Sequence, residues 1–87
     1  AHMTKTITVR YFASIREAMG TGEETWATTA PTVAALRQEL AGRSAQAALA
    51  LAEDQPVRLA LNQTMCPPDA PIAPGDEVAF FPPVTGG

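Results

Sequence analysis

The last dozen residues, Asp76-Glu77-Val78-Ala79-Phe80-Phe81-Pro82-Pro83-Val84-Thr85-Gly86-Gly87, constrain the chain most, because they begin as a strand and end as something no sheet can hold. Side chains alternate along a strand, so Val78 and Phe80 point to one side and Ala79 and Phe81 to the other. Pro82 and Pro83 then stop the ladder, since neither has a backbone N–H to donate. Two consecutive prolines favour an extended polyproline path. The six residues from Pro82 to Gly87 can therefore reach roughly 20 Å from a body that ends at Phe81. Glycine has no Cβ, so a Gly86-Gly87 end can thread a channel that a larger residue would block. The expected division is a two-residue cloning scar (1–2), a folded domain (3–81) and an extended tail (82–87).

The chemistry of such an end sets what it can do. A carboxylate is a poor electrophile and must be activated, for example as an acyl-adenylate, before anything is attached to it. The functional reading is a carrier arm whose working group is the Gly87 carboxylate. The plain alternative is a small-residued, floppy terminus with no task.

The rest of the chain supplies a body for that arm. Thr6 to Phe12 alternates, with Ile7, Val9 and Tyr11 on one face and Thr6, Thr8 and Arg10 on the other, which predicts a half-buried strand. Phe12 falls on the polar face. Ser14 and Glu17 have capping-box spacing, and a short helix is expected from Ile15 to Met19, stopped by Gly20. Glu24 to Thr29 reads as a second strand. Thr32 is the expected N-cap of the main helix, whose Val33, Leu36 and Leu40 form one apolar stripe ended at Gly42. Ser44 can cap a further helix over Ala45–Ala52. Val57, Leu59 and Leu61 alternate as a strand, Asn62-Gln63 reads as a turn, and a very short strand follows near Thr64–Met65. Pro74-Gly75 makes a corner before the last strand, Glu77–Phe81.

Strand, strand, helix, strand, short strand, strand is the order of a two-layer α+β domain, with a mixed sheet of four to five strands packed on one main helix plus short helices. If the first and last strands are neighbours, Phe12 and Phe81 are neighbours on the face away from the core, and Met65 can join them. An exposed apolar cluster of this kind marks a partner-binding patch. The alternative is that these residues pack under a loop.

Composition narrows the function. Eighty-seven residues make one small domain with a modest core. The formal net charge is −3 with only 6 Lys+Arg, which argues against nucleic acid and anionic membrane and fits a partner with a basic face. No apolar run approaches the ~20 residues of a membrane span, and no signal peptide is visible. One cysteine, Cys66, rules out an internal disulfide and fits a reducing cytoplasm. His2 is the one histidine and lies in the scar, which removes histidine catalysis. No metal-ligand cluster, phosphate loop or nucleophile–base set is present, so no metal site and no bound cofactor is expected. Glu23-Glu24 and Asp76-Glu77 read as solvated turn residues. Cys66 reads as an incidental thiol, with a thiol enzyme as the competing view.

Asn62-Gln63, the terminal run from Gly75 to Gly87, the opening Tyr11-Phe12-Ala13-Ser14-Ile15-Arg16-Glu17 and Pro31-Thr32-Val33-Ala34-Ala35-Leu36-Arg37 together resemble the small, sulfur-carrying subunits of molybdopterin synthase, within the ubiquitin-like sulfur carriers. The likeness covers nearly all of the chain after the scar. Thiamine-pathway carriers share the fold and the Gly-Gly end but not the Phe-Phe-Pro-Pro approach. The resemblance implies the β-grasp (ubiquitin-like) fold, with first and last strands parallel and central. It implies no catalysis by the chain itself. An E1-like adenylating enzyme, using ATP-Mg, would activate Gly87, and sulfur would replace oxygen to give a thiocarboxylate. The tail would then enter the synthase large subunit, in a heterotetramer, and give its sulfur to a cyclic pyranopterin monophosphate. Gly86 and Gly87 match the reactive end. Phe12, Met65 and Phe81, with Pro82, Pro83, Val84 and Thr85, match partner-contact positions, Met65 standing where Leu is common. Two other readings stay open: a carrier for another pathway, thiazole or cysteine synthesis, and a ubiquitin-like interaction module with a silent Gly-Gly end.

Overall fold

A computed structural model describes residues 4–83. The elements run β1 (Lys5–Tyr11), α1 (Ala13–Met19), β2 (Glu23–Thr28), α2 (Val33–Ala41), α3 (Ala45–Ala50), β3 (Arg58–Leu61), β4 (Thr64–Met65) and β5 (Glu77–Phe81). The five strands form one mixed sheet in the order β2-β1-β5-β3-β4. β1 and β5 are parallel and central, with Val9 opposite Val78 and Tyr11 opposite Phe80. The other pairs are antiparallel. This is the two-layer α+β domain that the order of strands and helices implied, in the β-grasp arrangement that the family resemblance implied.

One face of the sheet is covered. Ile7, Val9 and Tyr11 of β1, Leu59 of β3 and Val78 and Phe80 of β5 are buried with Val33, Leu36 and Leu40 of α2. The stripe at i, i+3 and i+7 on α2 is fully enclosed, as its spacing predicts. Thr32 caps α2 by accepting from Ala35 N, and Ser44 caps α3 by accepting from Ala47 N. α3 is shorter than expected and ends at Ala50. There the Arg37 side chain donates to the carbonyls of Leu51, Ala52 and Gln55, taking up acceptors beyond the helix end. Desolvation by burial in this position lowers the Arg37 pKa.

Two local expectations differ from the structure. The capping box at Ser14 does not form: Phe12 occupies the N-cap of α1 without a side-chain bond, and Ser14 lies inside the helix. Phe12 is also not the end of a strand, because β1 stops at Tyr11. The chain turns from strand to helix at Ala13, whose φ of 53° lies in the left-handed region. That conformation costs a non-glycine residue about 1 kcal/mol or more. Gly20 closes α1 in the left-handed conformation, φ 80°, donating to the Arg16 carbonyl.

Candidate functional site

Where β1 and β5 leave the sheet side by side, each carries a second aromatic one residue past its buried one. The parallel ladder reaches one step beyond β1, with Phe12 N donating to Phe80 O at 3.2 Å. That bond fixes the Phe12 backbone while the turn at Ala13 leaves its ring outside. Phe12 is 42% exposed and meets Phe81 edge to face, with centroids 6.3 Å apart at 89°. Phe12, Ala13, Phe81, Pro82 and Pro83 line an open apolar cleft of about 480 Å³. The expected pairing of Phe12 with Phe81 is therefore present, at the base of the Pro-Pro lead.

Met65 is placed differently. It lies on the same open face, 56% exposed, but pairs with Ala60, which in turn pairs with Ala79 of β5. Two strand spacings, roughly 10 Å, separate β4 from β5. Met65 stands across an alanine floor from the aromatics and does not line the cleft. Val84, Thr85, Gly86 and Gly87 lie outside the described residues.

Arg10, which alternation assigns only to the polar face, belongs to the site. Its guanidinium lies 5.6 Å from the centroid of the Phe12 ring. Its Nε is 3.3 Å from Glu23 Oε1 and its Nη1 3.9 Å from Glu77 Oε1. The available signal was that Arg10 and Phe12 are two residues apart, and therefore close on one side of the chain.

The acidic pairs are not simple solvated turns. Glu24 accepts from the Tyr11 hydroxyl at 2.7 Å and from Arg43 at 2.5 Å, and its side chain is only 19% exposed. Arg43 in turn lies 4.5 Å over the Trp26 ring, and Trp26 Nε1 donates to Glu39. Burial, then the bond to Glu24, pushes the Tyr11 phenol well above its ordinary range. The Arg43 guanidinium is raised by its bond to Glu24. Asp76 accepts from Asn62 Nδ2 and Ala73 N, while Asn62 Oδ1 accepts from Glu77 N. Asn62 and Gln63 both take positive φ, 52° and 68°, the requirement of a tight hairpin turn. These bonds fix the start of β5, and so the direction in which Phe81 and the prolines leave.

The two other candidate centres that the sequence raises, a metal cluster and Cys66, can be checked among the described residues. No group of three or more His, Cys, Asp or Glu could hold a metal ion there. Cys66 is half-buried against the core, and burial pushes its thiol up, away from the reactive thiolate. No helix there is long and apolar enough to cross a membrane.

Comparison with known proteins agrees with this geometry. A relative from Escherichia coli (strain K12), named molybdopterin synthase sulfur carrier subunit, is 53% identical over 81 residues, 93% of this chain and 99% of its own. The solved HVO 2177 protein of Haloferax volcanii superposes with a TM-score of 0.82 at 29% identity, over 97% of this chain and 88% of its own. A solved complex of subunits 1 and 2 of the molybdopterin-converting factor from Helicobacter pylori 26695 contains a chain that matches with a TM-score of 0.60 at 27% identity, over 94% of this chain and 99% of its own. The ThiS family model matches residues 9–87, a span that runs from the middle of β1 through the diglycine, and the chain is a member of the ThiS family.

Proposed function

We propose that this chain is the sulfur-carrying small subunit of a molybdopterin synthase. One observation carries the reading: an apolar cleft formed by Phe12, Ala13, Phe81, Pro82 and Pro83 lies at the root of the segment that ends in Gly86-Gly87. The name of the 53%-identical relative supports it. A body without a chemical centre, a docking cleft and a narrow diglycine end suit a carrier that other proteins load and unload.

In this reading an E1-like enzyme with ATP-Mg transfers AMP to the Gly87 carboxylate and releases pyrophosphate. A sulfur donor then displaces AMP, leaving a thiocarboxylate, a far softer nucleophile than the parent carboxylate. The chain next docks on the synthase large subunit through Phe12 and Phe81, with Met65 at the far rim of the same face. The tail enters a pocket there, and its sulfur attacks a cyclic pyranopterin monophosphate. Pro82 and Pro83 restrict the lead into that pocket and so reduce the entropy lost on insertion. Two carriers at opposite ends of a large-subunit dimer, working in a reducing cytoplasm, complete the proposal.

The test is intact-mass spectrometry of chain isolated from cells that contain the activating enzyme. The expected result is a species with one oxygen exchanged for sulfur, absent when Gly87 is deleted. An unchanged mass in such cells overturns the proposal. A carrier for thiazole or cysteine synthesis would be loaded in the same way. Adding the molybdopterin synthase large subunit and its pterin precursor separates them, because only the proposed carrier is consumed.

A further inference from the structure

The open face of the sheet holds a cation, Arg10, whose donors make no hydrogen bond to a side chain or backbone acceptor among the described residues. Across the strands one row reads Glu23, Arg10, Ala79, Ala60, Met65. Ala79 and Ala60 are small and only 8% and 6% exposed, so the row sinks between the long side chains of Arg10 and Met65. Phe81 stands beside the same floor, two residues after Ala79. Arg10 has five N–H donors. Its Nε is buried and finds no hydrogen-bond acceptor among the described residues. Glu23 is close to that atom at 3.3 Å but out of line, and Glu77 at 3.9 Å is beyond hydrogen-bond reach of Nη1. The charge of Arg10 is thus balanced, indeed outnumbered two to one; the enclosed Nε is out of a partner's reach, and the Nη groups at the end of a 39%-exposed side chain are the donors a partner can meet.

These two facts select the chemistry of what binds there. A third carboxylate would meet the field of Glu23 and Glu77 as well as that of Arg10. A neutral oxygen accepts the same hydrogen bonds without that repulsion. We infer that Arg10 is a specificity-determining contact of the docking face, donating to a neutral carbonyl oxygen of the partner, from backbone or side-chain amide, while an apolar side chain of the same segment lies on the Ala79–Ala60 floor. The inference rests on the carrier reading, which makes the partner the synthase large subunit. It adds a polar anchor to a contact otherwise built from aromatic rings, and a polar anchor sets register as apolar surfaces do not.

The experiment measures affinity of the full chain for the large subunit at low and high salt, for the parent, Arg10→Met, Arg10→Lys and Phe81→Ala. Arg10→Met keeps the apolar stem and removes the donors. It is expected to weaken binding about tenfold, the scale of losing a hydrogen bond to a charged group. The loss should be equal at both salt concentrations, since a neutral acceptor gives screening little to act on. Arg10→Lys, which keeps charge without the planar fork, should lose less. In the unbound Arg10→Met chain the ring-to-ring nuclear Overhauser contacts between Phe12 and Phe81 should be those of the parent. If Arg10→Met binds within twofold of the parent while Phe81→Ala is weak, the inference is wrong and the carrier reading stands. A loss that vanishes at high salt means an ionic partner and overturns the neutral acceptor. Loss of those ring-to-ring contacts in the free variant means that Arg10 acts by holding Phe12, not by touching the partner. If Phe81→Ala also binds normally, the docking face itself is misassigned.

Discussion

Tyr11 with Phe80, and Phe12 with Phe81, are two aromatic pairs one residue apart where the same two strands run out. The first pair is buried to within 1% and stacks, centroids 6.2 Å apart at 18°. The second meets edge to face at 89°, with Phe12 42% exposed. Nearly equal side chains are sorted to opposite faces by the two-residue period of a strand. The two pairs divide the labour: one holds β1 and β5 to the helices, and the other stays at the surface, where the proposed function places a second protein. A one-residue slip of β5 would exchange Phe80 and Phe81, exposing the core ring and burying the surface ring. The paired start of β5, held by Asn62 and Asp76, is what prevents that slip.

The most forceful way to break this comparison is to truncate one ring from each pair on β5. Phe80→Ala is expected to lower folding stability by about 3–5 kcal/mol, the cost of a large core cavity, in a denaturant titration. Phe81→Ala should cost under about 1 kcal/mol of stability. It should instead cost about 2 kcal/mol or more of affinity for the large subunit, by calorimetry. Equal stability losses from the two variants would mean that both pairs belong to the core.

Much of this division was legible from the chain alone, because it depends on local rules. Alternation places Ile7, Val9 and Tyr11 inside, and the 3.6-residue period places Val33, Leu36 and Leu40 against them. Thr32 and Ser44 announce their helices, since a cap acts only three residues away. The misreadings lie where a partner comes from far along the chain. Ser14 has the right spacing for a cap, but the ladder bond from Phe12 N to Phe80 O fixes the chain so that Phe12 takes the position. Glu24 looks like a turn residue until β2 and the end of α2 bring Arg43, 19 positions later, onto it. Arg10 is ordinary as a polar-face residue and becomes notable only when Glu23, Glu77 and Phe12 surround it. Met65 falls on the expected face, but the width of the intervening strand, which no local pattern encodes, separates it from the rings. The proposed reactive end, Gly86 and Gly87, rests on the sequence and on a family match that spans both residues, which lie outside the described ones.

A smaller effect sharpens the inner pair. Tyr11 is the one tyrosine of the chain, so phenolate absorbance reports it alone. Its folded pKa is raised, by burial first and by Glu24 second. A raised pKa means that the folded state holds its proton longer than the unfolded state does. The associated stability is complete below pH about 10, the ordinary phenol value, and declines as pH climbs beyond it. Phenolate should therefore appear only together with loss of helical circular dichroism. Tyr11→Phe should flatten this alkaline decline and cost about 1 kcal/mol at neutral pH, one hydrogen bond. Phenolate forming near pH 10 with the fold intact would show that Tyr11 is not enclosed as its partner Phe80 is.

The smallest expected effect concerns the covered side, where Cys66 leans on the core behind the sheet. If chemistry belongs to the open face and the tail it supports, this thiol is a spectator. Its raised pKa leaves little thiolate at neutral pH, and thiolate is the form that attacks a persulfide or an acyl-adenylate. Cys66→Ala removes a small, partly buried group and should change stability by about 1 kcal/mol or less. The rate of sulfur loading and transfer should stay within about twofold of the parent, a difference of about 0.4 kcal/mol in barrier. A loss of transfer in Cys66→Ala with folding intact would place a thiol relay on the core side of the sheet. The boundary between a structural face and a working face, which the two aromatic pairs mark, would then have to be redrawn through β4.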